Sequence, residues 1–413
     1  MAEPLPRLRL NLEFMPSPVE ERPGLLIRDS YRYSDMTLII PPLLVQCLTL
    51  FDGERTDLDL HQALAELTGD IQVGDVAKSL VDALSQAGFL ENEVYQQLRE
   101  GKHRAFAEAT VREATLDGSA YPAEATELRT WLVDIMGDGH VTQPKSDLIG
   151  IAAPHVSPEG GRQSYQRAYG CLNGEYSNRT FVILGTSHYG DPNRFGLTRK
   201  PFVTPLGTAS TDTQLVDALE REAGPAVSME DYCHSVEHSI EFQVVFLQHL
   251  FGPEIRILPV LCGSFAKSIY QGGLPEDDES VRRLLGALGE VAAREGNRLF
   301  WVLGIDLAHM GRRYGDKFDA HAGKKEMLLV EEQDRDRIGR IVEGDAQGFW
   351  ERVQKYRDNL KWCGATALYT FLRTVPAARA ELLHYDQWNI DPESVVTFGA
   401  FAFRRYSGTA ASQ

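Results

Sequence analysis

Histidine recurs in this 413-residue sequence where apolar runs stop, and the positions suggest a shared site. After Leu148–Ala153 comes Pro154-His155; after residues 181–184 comes Gly185-Thr186-Ser187-His188; after residues 300–305 comes Asp306-Leu307-Ala308-His309. Imidazole ligates metals and exchanges protons near neutral pH. If these ends share one edge of a sheet, His155, His188 and His309 converge with Asp306 as a metal-binding or acid–base constellation. The apolar run 255–261 ends differently, in Cys262-Gly263-Ser264.

A second cluster spans Asp231 to Glu241 and contains His234, Glu237 and His238. Its H-x-x-E-H string matches the inverted zinc-protease motif, which would make zinc-dependent hydrolysis one reading. That reading needs a further carboxylate ligand from another helix and leaves the strand-end histidines idle. Support for a metal site is the better use of the segment. Glu237 and Glu241 lie one helical turn apart, as do His238 and Glu241, so either carboxylate could orient a ligand imidazole. The plain alternative is a polar helix start capped by Ser235. Cys363, just before the helical stretch 365–373, would feel the positive end of a helix dipole, which favours thiolate; burial as a core thiol is the competing reading. No G-x-x-x-x-G-K-[ST] loop, dinucleotide fingerprint or G-x-S-x-G elbow occurs.

Elements able to position these residues follow from periodicity. Buried-strand runs at 148–153, 181–184, 255–261, 299–305 and 395–403 alternate with helical patterns at 214–222, 239–250, 281–294 and 327–342. Such alternation predicts an α/β fold, a largely parallel sheet flanked by helices. Upstream, residues 1–30 read as an irregular arm rich in Pro, Arg and Glu. Residues 31–95 read as a small winged-helix-like domain: a helix opened by Pro41-Pro42, a second after Thr56, a third over 73–87, then a strand from Phe89-Leu90. Residues 96–117 form a charged helical connector overlapping the start of the core at 111–407.

Charge and cysteines narrow the classes. The 42 basic against 59 acidic residues leave −17, which disfavours nucleic acid and anionic lipid. The third helix, SLVDALSQAG, lacks the basic face of a DNA-recognition helix, so a protein or peptide partner fits the small domain better. Five scattered cysteines without a C-x-x-C pair argue against a disulfide framework and for a reducing compartment. With no secretory h-region and no run long enough to span a bilayer, a cytoplasmic protein without membrane association is expected.

Several motifs, in order, resemble the Memo family, whose prokaryotic members are called AmmeMemoRadiSam system protein B. They are "VREATLDGSAYPAEATELRTWL" from 111, "IAAPH" at 151–155, "VILGTSH" at 182–188, "EHSIE" at 237–241, "GIDLAHMG" at 304–311, "WCGATAL" at 362–368 and "VVTFGAFAF" at 395–403. The resemblance implies a fold similar to class III non-haem dioxygenases and a mononuclear metal site of His155, His188 and Cys363. It implies that Asp306 and His309 line the same cleft with His238 and Glu237 beside it, and that radical SAM system proteins are partners. Because the family pattern needs no histidine at 234, the zinc-protease match reads as accidental. Relatives often carry an "AGY"-like segment after the first histidine, where this chain has Val156 to Gly161; the aromatic contact is then missing or supplied by Tyr165. The segment from "LFDGERTDLDLHQALAEL" to "LVDALSQAGFL" resembles PqqD-like peptide-holding modules.

Two imidazoles and a thiolate suit Fe(II), Cu or Zn and disfavour Mg or Ca. The expected activity is a metal-dependent oxidoreductase using Fe(II), with His238 or His309 as acid–base group. A non-catalytic metal- or peptide-binding partner of a modifying enzyme is the alternative.

Overall fold

The computed structural model describes residues 4–137 and 147–406. Residues 1–3 of the expected arm and position 407, the expected end of the core, lie outside the described residues. The chain divides into two compact units, Met1–Glu108 and Ala109–Gln413.

The first unit is wider than the 31–95 span expected, because it takes in the arm and the whole of helix Glu93–Glu108. The arm is not irregular. Leu12–Pro16 and Leu25–Asp29 form an antiparallel pair, to which Thr37–Ile40 adds as a third strand. Charged residues concealed this pairing in the sequence: Glu13 stands opposite Arg28 and accepts from its guanidinium at 2.6 Å, while Leu12 and Ile27 turn into the core. The expected first helix is split into α-turn Pro42–Val45 and 3-10 turn Gln46–Leu50; helices Asp57–Thr68 and Gly74–Gln86 follow. The expected terminal strand reduces to one bridge, Leu90 to Leu8, so the sheet of this unit precedes its helices.

The second unit is built on a sheet whose four central strands run parallel in the order Leu148–Ala153, Leu299–Gly304, Thr180–Thr186, Arg256–Cys262. Ser394–Arg405 closes one side antiparallel to Leu148–Ala153, and the long strand Ala378–Asp391 pairs with it. Burial on both faces explains the unbroken apolar runs. Phe181 and Ile183 pack into one hydrophobic cluster, and Val182 and Leu184 into the other; Phe300 and Val302 likewise oppose Trp301 and Leu303. Helices Thr213–Ala223, Glu279–Glu295, Glu326–Glu343 and Ala365–Thr374 contribute apolar faces to the first of these clusters. Helices Ala125–Met136, Pro158–Tyr169 and Glu241–Phe251 contribute to the second. Parallel strands deliver their carboxyl ends to one edge, where ligands of open α/β sheets bind. No described helix is long and apolar enough to cross a membrane.

Since Leu184 is fully buried in a central strand, Leu184→Ala should cost the second unit about 2–5 kcal/mol of unfolding free energy. Urea unfolding monitored on that unit checks this, and a loss under about 1 kcal/mol would contradict the packing described.

Candidate metal centre

Glycines at the strand ends decide what can approach them. Gly304 and Gly185 are cross-strand partners on adjacent parallel strands. A Cβ at Gly304 would collide with the carbonyl oxygen of Ser239, and one at Gly185 would stand 2.6 Å from the Ser239 hydroxyl oxygen. Their bare backbones therefore let the Glu237–Glu241 segment lie against the carboxyl edge, where Ser239 donates to the carbonyl of Thr186 at 3.0 Å. Gly364 does the same for the Cys363 loop: a Cβ there would stand 2.5 Å from that of Ile305. The Gly364 N–H donates to the Asp306 carbonyl at 3.0 Å, and the Thr186 hydroxyl donates to the Cys363 carbonyl at 2.9 Å.

This edge gathers His155, His188 and Cys363, with one ligand atom from each lying within 4.8 Å of the others. The Cys363 thiol sulfur is 3.3 Å from His155 Nε2. The other imidazole nitrogens are engaged from behind. His155 Nδ1 lies 3.0 Å from the Gly304 carbonyl, and His188 Nδ1 lies 3.0 Å from the Glu237 carboxylate. Nδ1–H donated to these acceptors leaves each Nε2 lone pair available, an arrangement found behind metal-ligating histidines. His188 and His238 retain 27% and 31% side-chain exposure, so the site opens to solvent on their side, whereas His155 and Asp306 are buried.

Glu237 is a buried carboxylate satisfied mainly by backbone: it accepts from the N–H groups of His188 at 3.0 Å, His238 at 2.9 Å and Ser239 at 3.2 Å. Burial would raise its pKa, but the imidazoles of His188 and His238 and these hydrogen bonds hold it well below the usual carboxylate range. Asp306 accepts from the N–H groups of His155 and Val156 at 3.0 and 3.2 Å and sets its second oxygen 3.5 Å from His155 Nε2. The His238 ring stacks on His188 with centroids 5.2 Å apart and meets His155 edge-on at 5.0 Å. His309 directs Nδ1 at the carbonyls of Leu307 and Lys361, 3.0 and 3.1 Å away, and packs against Tyr314.

Buried among these imidazoles, the Cys363 thiol differs from its peers. Burial pushes Cys262 up to about 12 against a hydrogen bond with Thr370. At Cys363 burial also raises the pKa, but charge on His155 and His309 and hydrogen bonds from His155 and His188 outweigh it and bring the thiol down to about 5. His155 rises to about 9 against its own burial, drawn up by Asp306 and Cys363. Without a metal, the opposed shifts therefore favour a thiolate on Cys363 beside an imidazolium on His155. By contrast burial drives His238 down to about 4 despite Glu237, which leaves it neutral. No cysteine in the described residues is in a disulfide.

Three expectations change. Glu241 orients no imidazole: it pairs with buried Arg112 and accepts from Tyr121, Thr115 and Leu116. Arg112 in turn donates to the carbonyls of His234 and Glu237, at 2.8 Å each, which fixes the backbone behind the site. Second, His234 and His238 do not share a helix, because Cys233–Val236 ends before an extended Glu237; His234 is buried against Phe202 and belongs to neither candidate ligand group. Third, Tyr165 is turned into the core. It is fully buried, stacked on Phe246 at 4.4 Å, and donates to the Val156 carbonyl at 3.0 Å. The glycines and Arg112 were not singled out from sequence; the glycines' position at strand ends was the available signal.

A family model described as "Memo-like protein" matches residues 112–402. A MEMO1 family protein of Thermococcus kodakarensis is 30% identical over 309 residues, covering 71% of this chain and 100% of its own length. One from Pyrococcus furiosus is 28% identical over 285 residues, covering 67% of this chain and 91% of its own. One from Aquifex aeolicus is 24% identical over 382 residues, 92% of this chain and 95% of its own, a length that must include part of the first unit.

In metal-free protein, alkylation of Cys363 followed by peptide mapping should reach half its maximal rate near pH 5. His155→Ala should move that midpoint up toward the ordinary thiol value of about 8.5. A wild-type midpoint already near that value would refute the thiolate assignment.

Proposed function

Since the chain belongs to the Memo family, we propose that it is a mononuclear metal-dependent oxidoreductase whose ion is held by His155, His188 and Cys363. The observation that carries this is the donor set: two imidazoles with Nδ1 engaged from behind and a thiolate, their ligand atoms within 4.8 Å. Mixed nitrogen and soft sulfur donors favour Fe(II), with Cu or Zn as alternatives, and disfavour Mg and Ca. Bound there, Fe(II) supplies redox chemistry and coordination positions for substrate and O₂, in line with the dioxygenase-like fold of the family.

The chain's own groups do the rest. Glu237 holds His188 in one orientation and one tautomer. His238, neutral and partly exposed beside both histidines, or His309, which follows the Asp306 segment, is the acid–base group for a bound substrate. Asp306 clamps the backbone after the Leu148–Ala153 strand and keeps a negative oxygen near His155. The first unit recruits a peptide or protein partner, a radical SAM system protein among the candidates, in a cytoplasmic setting that keeps Cys363 reduced.

Anaerobically purified full-length protein should hold about one Fe(II) per chain and lose it in His155→Ala, His188→Ala and Cys363→Ala. Unchanged metal content in all three variants would overturn the site. Glu237→Gln should retain the ligands and weaken Fe(II) affinity by about 10–100-fold. Oxygen uptake over a substrate panel tests turnover: an intact iron site without turnover would favour a binding protein.

A further inference from the structure

One buried carboxylate lies outside the site yet is linked to two of its segments. Asp334, on helix Glu326–Glu343, is fully buried. Its Oδ1 accepts from the indole N–H of Trp362 at 2.7 Å; its Oδ2 accepts from the hydroxyls of Thr397 at 2.7 Å and Tyr385 at 2.8 Å. The three donors come from the loop before helix Ala365–Thr374 and from strands Ser394–Arg405 and Ala378–Asp391. An ionisable group in that position costs free energy that an apolar side chain would not, so its presence calls for a role.

Each bond leads on to a site residue. Trp362 immediately precedes Cys363, and its ring is held between the Asp334 bond and the guanidinium of Arg337, 5.2 Å from the ring centroid. The Thr397 hydroxyl that donates to Asp334 also accepts from the Ala308 N–H at 2.8 Å. The Thr397 backbone pairs with the same segment: its N–H donates to the Ala308 carbonyl and its carbonyl accepts from the Leu307 N–H, both at 2.8 Å. Leu307 and Ala308 lead directly into His309, whose own N–H donates to the Leu360 carbonyl at 2.9 Å. The Cys363 loop and the His309 segment thus meet at one carboxylate.

We propose that Asp334 is a positioning residue: through the Trp362 indole it fixes the loop bearing Cys363, and through the Thr397 hydroxyl it fixes the segment bearing His309. The consequence for metal binding rests on the reading of the centre given above; the anchoring itself does not.

Hydrogen exchange on metal-free, full-length protein tests the anchoring. Asp334→Asn should speed exchange in residues 306–309 and 360–364 by about tenfold or more while the central strands keep their protection. Trp362→Phe removes the indole donor with part of the ring and should loosen only 360–364; Thr397→Val removes the hydroxyl, both the donor to Asp334 and the acceptor for Ala308, and should loosen only 306–309. These two keep the test intact should Asp334→Asn fail to fold. Wild-type exchange at both segments, or uniform loosening of the whole unit, would overturn the proposal. A second readout uses Co(II): Trp362→Phe should weaken its binding by about 10–100-fold and shift the thiolate-to-cobalt absorption. An unmoved absorption and affinity would count against Asp334 acting on Cys363. Absence of that absorption in the wild type would overturn the thiolate ligand itself, and exchange alone would then judge Asp334.

Discussion

The close approach of Ser239 to Gly185 and Gly304 is the contact on which the site depends. Two adjacent parallel strands end in partnered glycines, and only a backbone without side chains lets the Glu237–Glu241 segment settle on them. From that contact the rest follows in order. Glu237 comes within reach of the His188 imidazole and its backbone N–H; His238 is brought beside His155; and Glu241 starts a helix whose first turn is locked by Arg112. A methyl group at either strand end would displace the segment and separate Glu237 from His188, leaving a buried carboxylate and an imidazole both short of a partner.

Buried carboxylates form a recurring device around this edge. Glu237, Asp306, Glu241 and Asp334 are all nearly inaccessible, and each accepts from at least one segment distant in sequence. An isolated carboxylate in an apolar interior is strongly disfavoured, but one that accepts several N–H or O–H groups becomes a fixed joint. Loops carry the candidate ligand side chains here, and loops are the mobile part of an α/β fold. Tying each loop to a carboxylate replaces that mobility with geometry without lengthening the sheet.

Much of this was legible from sequence and part was not, for physical reasons. Central strands buried on both faces leave unbroken apolar runs, so their ends and the residues after them, His155, His188, Asp306 and His309, could be read directly. Cys363 follows no strand; its place depends on the tight fit of Gly364 against Ile305, which no spacing rule encodes, so its position before a helix left a core thiol as a competing reading until the family resemblance assigned it a metal. The strand Ala378–Asp391 escaped because it is half exposed and irregular in register, which blurs its alternation. Strand Leu12–Pro16 escaped because its charged residues pair across to a neighbour. Glu241 was placed on the correct helix but given the wrong neighbour, since helical spacing says which residues share a face and nothing of an arginine 129 positions upstream.

The electrostatics of the edge also explain why a cation suits it. Thiolate and carboxylates are held there at close range, and in their company His155 and His188 take up protons that burial would otherwise remove. Those protons are the positive charge the metal-free site recruits. A divalent ion bound by the same nitrogens and sulfur would displace them, so ion and protons compete for one set of lone pairs. With the His155 pKa raised, an ion held as proposed would release protons on binding at neutral pH. His238 stands apart because burial keeps it neutral at about 4. It carries no proton to expel, so an ion held as proposed would meet no competing proton on this imidazole.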